Sequence, residues 1–131
     1  MTPEATVREL SRRFLAGDRE GAMALLDPDI HIEQPGSLPH GGEHHGHAGF
    51  GAMGAAFAGH WDRTIDDPQV TGAGPDTAVQ VTRQTWTSKA TGRTATVAVV
   101  ELLTVADGRI TRIRVFPQDT HALLATFAPT P

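Results

Sequence analysis

Four histidines, His40, His44, His45 and His47, fall within eight positions of a chain that holds only 7. Neutral imidazoles bind zinc, copper or nickel, so His45-x-His47 with His40 or His44 offers three nitrogens of metal-ligand type from a flexible segment. No acid follows at the spacing a cupin-like site needs, since Phe50 to Ala52 supply none. The other reading is a lip over a pocket, in which one imidazole, with a reference pKa of about 6.5, acts as general acid or base. The lip, with no metal and no cofactor, is the expectation carried forward.

Other residue pairs could move protons. His31 and Glu33 stand two apart in a short alternating run, so they share one side of a strand. Facing a cavity they would converge on a ligand; facing solvent they are ordinary strand polars. Glu101 lies within VAVVELLTV, with apolar neighbours on both sides. A carboxylate there must face a polar cavity or pair with a cation, because burying it alone is prohibitive. Desolvation would raise its pKa toward the range of a general base, and a cross-strand pair with Arg83 or Arg112 is the alternative. Arg83 alternates with Thr85 and Thr87; turned inward it would anchor a carboxylate or polarise a carbonyl, turned outward it is a solvated sheet residue. Asp119 is placed to cap a last helix.

The elements that must position these groups follow from periodicity. Thr2 caps a first helix with Pro3 at its first position and Val7, Leu10, Phe14 and Leu15 at helical spacing. Asp18 caps a second, which Asp27-Pro28 stops. Ile30 and Ile32 mark a strand, and PGSLPHGGEHHGHAG, with five glycines and two prolines, reads as a loop. Phe50, Met53, Phe57 and Trp61 give a third helix, broken before Asp66-Asp67-Pro68. Strands are expected near 69–72, over 77–88, 93–105 and 109–116, with a hairpin turn at Asp107-Gly108. A short helix closes the chain from about Asp119 to Phe127. Helices followed by a meander of antiparallel strands make an α+β pattern, with a curved, cone-shaped sheet packed on the N-terminal helices around a pocket for a small, largely apolar molecule. Phe14, Phe57, Trp61, Trp86 and Phe116 are the candidate apolar wall, with His40, His45 and His47 at its lip.

Composition removes whole classes of function. The 131 residues fit one domain, and 11 basic against 15 acidic side chains leave a charge of -4, unsuited to nucleic acid. The longest apolar-leaning stretch, Thr94 to Val105, is shorter than the roughly 20 residues of a membrane span, and no signal-peptide pattern opens the chain, so the expectation is a soluble, cytoplasmic protein. Zero cysteines exclude disulfides, thiolate metal sites and cysteine nucleophiles. Zero tyrosines exclude any phenol-dependent mechanism.

The element order, together with EQPGSLPHGGEHHGHAGF and VVELLTVADGRITRIRVFPQDTHALL, resembles the nuclear transport factor 2-like superfamily. The local match is closer to its SnoaL-like (polyketide cyclase, ketosteroid isomerase-like) members. In many relatives the middle segment looks like Pro-x-Ser-Leu-Pro-aromatic-Gly-Gly, and here His40 stands at the aromatic position. The resemblance implies a single SnoaL-like domain over 1–131 and a homodimer paired through the outer sheet face. It places Asp119 near the cavity mouth or at a helix cap, and an epoxide hydrolase-like match turns position 83 inward. Three departures limit the activity: no tyrosine for a ketosteroid isomerase oxyanion donor, Gln84-Thr85 after Arg83 where an Arg-x-Asp is wanted, and Val115 in place of a last-strand Asp. The expected function is cofactor-independent proton transfer on a small apolar oxygenated molecule (polyketide-, terpenoid- or steroid-like), as isomerase, cyclase or dehydratase. His31, Glu33, Arg83, Glu101 and Asp119 would share the catalytic roles. The alternative is a non-catalytic binding or accessory domain built on the same cone.

Overall fold

The computed structural model describes residues 1–129. Its elements run α1 (Pro3–Leu15), α2 (Arg19–Ala24), β1 (Leu26–Gln34), β2 (Gly42–His45), α3 (Gly46–Ala58), β3 (Trp61–Gly72), β4 (Thr77–Ser88), β5 (Thr94–Ala106), β6 (Arg109–Pro117) and α4 (Thr120–Ala125). The strands form one curved, open sheet in the order β2-β1-β6-β5-β4-β3, antiparallel except for the β1/β6 pair. The expected α+β architecture is the observed one.

Local chemistry sets most boundaries. Thr2 accepts from the Ala5 amide at 3.2 Å with Pro3 in the first turn, and Gly17 at φ 77° turns the chain out of α1 toward the Asp18 cap of α2. Asp107 (φ 52°) and Gly108 (φ 74°) both take the left-handed conformation that a two-residue hairpin turn requires.

Two sequence expectations are corrected. The histidine segment is only partly a loop: Gly42–His45 pairs with β1 as an edge strand, and α3 starts at Gly46, four residues before Phe50. The edge of β1 offers unpaired backbone groups, and the left-handed Gly42 (φ 88°) and Gly46 (φ 71°) let the chain enter and leave the pairing. The second correction concerns β3, which begins at Trp61, so Trp61 opens a strand and does not end a helix. Asp66-Asp67-Pro68 is a β-bulge within it: Asp66 faces Arg83 and Gln69 faces Val81, so β3 spends one residue more than β4. Asp67 takes the strain, at φ 51°.

The interior between helices and sheet holds two apolar clusters. One gathers Val7, Leu10, Ile30, Ile32, Leu103 and Ile113 under α1 and α2; the other gathers Leu38, Trp61, Trp86, Val97, Val99 and Leu123 near α4. Val115 packs against both.

Candidate functional site

Between the two clusters the inward face of the sheet turns polar. On β4 the inward positions are Ala78, Gln80, Thr82, Gln84, Trp86 and Ser88, all buried. On β5 the inward positions Val97, Val99, Leu103 and Val105 are interrupted by Glu101, which pairs in register with Gln80 on one side and Val115 on the other. A belt of amide, hydroxyl and carboxylate across a hydrophobic interior costs stability unless it lines space that a polar group or ligand enters.

Glu101 is the centre of this belt. It lies deep in the protein, yet it keeps some accessible surface toward the space between sheet and helices, the candidate cleft, and no hydrogen bond or ion pair with a described residue takes its oxygens. Burial pushes its pKa up, opposed in part by the positive charge of Arg63. Arg63 is on the inward side of β3, opposite Trp86, with its guanidinium 4.6 Å above the centre of the Phe57 ring. The residue as a whole is exposed, while desolvation by the surrounding protein lowers its pKa, and Glu101 pulls the other way. The two charges sense each other without an ion pair within 4.0 Å.

An aromatic box closes one end. Trp61 and Trp86 have ring centres 5.0 Å apart, Phe57 lies 4.8 Å from Trp86, and His40 sits 5.2 Å from Phe57 and 5.7 Å from Trp86. His40 is 4% exposed, and its Nδ1 is sealed with no hydrogen-bond partner. Desolvation first, then the charges of Arg63, His44 and His60, lower its pKa to about 4, so the ring is neutral. The turn that delivers His40 requires Gly41, where a Cβ would collide with the carbonyl oxygens of Pro35 and Leu38. His44 donates from Nε2 to the His40 carbonyl at 2.8 Å and fixes the turn from outside. The indole of Trp61 donates to Thr126 Oγ1 at 2.8 Å, which ties the box to α4.

The sequence-selected residues divide between the two faces of the sheet. His40, Phe57, Trp61 and Trp86 come together in the box, and Glu101 lies on the same inward face, with Arg63 the charge that both Glu101 and His40 sense. His31 and Glu33 do not: Ile30 and Ile32 take the inward side of β1 in the core, which turns their neighbours outward. There His31 Nε2 is 3.4 Å from Glu43, and Glu33 pairs with Arg114 at 3.1 Å and Arg112 at 3.7 Å. Arg83 also points outward, into a shallow groove of about 300 Å³ with Asp67, Gln69 and Gln118. Phe116 is 43% exposed on the outer face beneath Arg114. Asp119 is exposed and caps α4, accepting from the Ala122 amide at 2.9 Å. Phe14 stacks on Phe50 at 5.9 Å between α1 and α3, half outside the interior. His45 lies exposed beside His31, with ring centres 6.3 Å apart, and His47 is exposed, its Nε2 donating to the Leu26 carbonyl at 2.9 Å. Only His40 of the four clustered histidines enters the box. Among the described residues no group of three or more histidines and carboxylates is arranged to hold a metal ion. No helix among them is long and apolar enough to cross a membrane.

Sequence reasoning missed Arg63, Gln80, Thr82 and Gln84. The alternation Trp61-x-Arg63-x-Ile65 was the available signal for the first, a period-two run hidden behind the apparent break at Asp66.

The chain has solved relatives. An NTF2-like protein from Burkholderia xenovorans LB400 is 27% identical, with 98% of each chain covered and a TM-score of 0.83. TerC, co-crystallised with polyporic acid, is 26% identical over 95% of this chain and 98% of its own, with a TM-score of 0.82. An NTF2-like protein from Burkholderia thailandensis E264 has the same fold at a TM-score of 0.89, with 23% identity and 98% and 99% of the two chains covered. No curated protein matches the chain at significant similarity. The model of the SnoaL-like domain matches residues 7–113, and by that match, with an open curved sheet under its N-terminal helices, the chain belongs to the SnoaL-like family of the NTF2-like superfamily.

Proposed function

We propose that this chain is a cofactor-independent enzyme that moves a proton on a small, largely apolar molecule bearing a carbonyl or related oxygen. One observation carries the reading: Glu101 is an unpaired carboxylate with a raised pKa, set in a polar belt between two apolar clusters, with the Arg63 cation across the cleft. A general base works best when its pKa approaches the working pH, and desolvation supplies that shift here. Arg63 holds the substrate oxygen and stabilises negative charge as the C–H proton leaves for Glu101. His40, Phe57, Trp61 and Trp86 stack against a planar apolar body. That TerC was crystallised with polyporic acid is consistent with a small-molecule site in this architecture.

The test is deuterium uptake from D2O at the α-carbon of small cyclic ketones and 1,3-diketones, followed by NMR. Wild-type protein is expected to accelerate uptake by at least one of them, and Arg63→Met to reduce it about 10²-fold, the scale of losing one oxyanion-stabilising donor. Uptake at the buffer rate across the whole panel would overturn catalysis and leave a binding domain.

A cytoplasmic homodimer completes the proposal. Phe116 and the Arg112, Arg114 and Glu33 network lie on the outer sheet face, a half-apolar, half-charged surface suited to a second copy. Light scattering is expected to give twice the 13.9 kDa chain mass, and Phe116→Glu to give one.

A further inference from the structure

A chain of hydrogen bonds along β4 has only one possible direction. It starts at the indole nitrogen of Trp86, which can donate and never accept. That N–H donates to Gln84 Oε1 at 2.8 Å, which fixes the orientation of the Gln84 amide. The Gln84 Nε2 group can also only donate, and it does so to Thr82 Oγ1 at 2.9 Å. The Thr82 oxygen is thereby an acceptor, and its own O–H must donate elsewhere. Thr82 is 4% exposed, faces inward between Gln80 and Gln84, and no described group accepts from it. A buried hydroxyl proton without an acceptor is costly, and an acceptor inside the cleft relieves it.

We infer that Thr82 is the oxygen-recognising donor of the cleft, aimed by the Trp86–Gln84 relay at an oxygen of the bound molecule, so the ligand presents an enolate, phenolate or carbonyl oxygen. The inference rests on the cleft being the ligand site proposed above, and it names what that ligand must carry. The surroundings agree in sign. Arg63 is a cation. Gln80 accepts the Ser11 hydroxyl at 2.6 Å through Oε1, which leaves its amide N–H groups as further donors. Glu101 is the one carboxylate on this polar belt. A cleft with more donors than acceptors selects an oxygen-rich anion over a hydrocarbon or an amine. Thr82 thus discriminates among ligands, and Trp86 and Gln84 act through it as positioning residues.

The probes are 4-nitrophenolate at pH 8, followed by its absorbance, and 4-nitrotoluene, the near-isostere without the oxygen, followed by equilibrium dialysis. Wild-type protein is expected to prefer the phenolate. Thr82→Val, which keeps the shape and removes the hydroxyl, should weaken phenolate binding about 10- to 100-fold, the scale of one hydrogen bond to a charged group, and leave 4-nitrotoluene unchanged. Thr82→Ser should restore the preference. Gln84→Met releases Thr82 from the relay and should cost part of the preference, which keeps the inference testable if Thr82→Val does not fold. Equal binding of the two probes by wild type, or an undiminished phenolate preference in Thr82→Val or Gln84→Met, would overturn it. Phenolate selectivity through Thr82 without any deuterium uptake would remove the proton-transfer proposal and leave the oxygen site standing.

Discussion

Replacing Glu101 by Gln is expected to abolish catalysed deuterium uptake and, in the same protein, to raise the melting temperature at neutral pH. The amide keeps the size of the side chain and removes its basicity, so the loss of rate should be about 10²- to 10⁴-fold, the range of a positioned general base. The gain in stability follows from the raised pKa of the carboxyl. Between its ordinary value and the raised one, the folded state holds a proton that the unfolded state has released, so stability falls as pH rises through that interval. Above it the folded protein carries the full cost of a buried charge. Gln has no charge to bury, and its advantage should shrink as pH falls toward 4.5 and change no further below it, where wild-type Glu101 is neutral in both states. Thermal unfolding of the two proteins across pH 4 to 8 provides the measurement. A structural role for Glu101 predicts the opposite sign, a destabilised variant, and that result would remove the assignment.

The second large effect is acid destabilisation through His40. Its pKa falls to about 4 in the folded protein against 6.5 for the ordinary ring, because burial among Phe57, Trp61 and Trp86 offers the cation no partner and Arg63 repels it. As pH drops below 6.5 the unfolded chain takes up a proton that the folded chain refuses, so stability is full above that pH and declines toward pH 4. The difference amounts to about 3 kcal/mol at 1.36 kcal/mol per pH unit, a large share of a small domain's stability. His40→Phe is expected to abolish this decline, since a phenyl ring fits the same box and cannot protonate. Urea unfolding at pH 7 and pH 4.5 checks it. If the two proteins lose stability in parallel over that range, His40 is not the sensor. Glu101 acts in the opposite direction over the same range, so the double variant should show a flatter pH profile than either single one.

How much of this was legible in the sequence depended on whether periodicity and polarity agreed. The helices did agree: Thr2, Asp18 and Asp119 all cap as their types suggest, and Asp107-Gly108 makes the expected turn. Glu101 was legible because a carboxylate in VAVVELLTV had few alternatives. The faces of β4 were not, because the rule of apolar inside and polar outside is reversed there. Val79 and Val81 lie on the outer face, while Gln80, Thr82 and Gln84 point in. An inversion of that kind cannot be separated from a register choice in one chain, and Arg83 was placed on the wrong face with it. His31 and Glu33 were misread for the complementary reason. Their isoleucine neighbours had the stronger claim on the core, and two sides of one strand cannot both be inside. The histidine cluster drew attention by composition, but the box required only His40, at the position where the resemblance leads one to look for an aromatic ring.

The extra residue at Asp67 has a larger reach than its size suggests. Val70, beyond the bulge, and Arg63, before it, both face the interior although one position is even and the other odd. Strict alternation forbids that, and the bulge supplies the change of phase. Were the strand to pair regularly through Asp67, with Gln69 still opposite Val81 and no bulge, everything upstream would rotate to the opposite face. The guanidinium would leave for solvent, and Asp62 or Thr64 would take its place opposite Glu101. The sign of charge at this site is thus set by where one residue leaves the ladder as much as by residue identity, and deleting Asp67, which straightens the strand with Arg63 still opposite Trp86, would keep the cation in place.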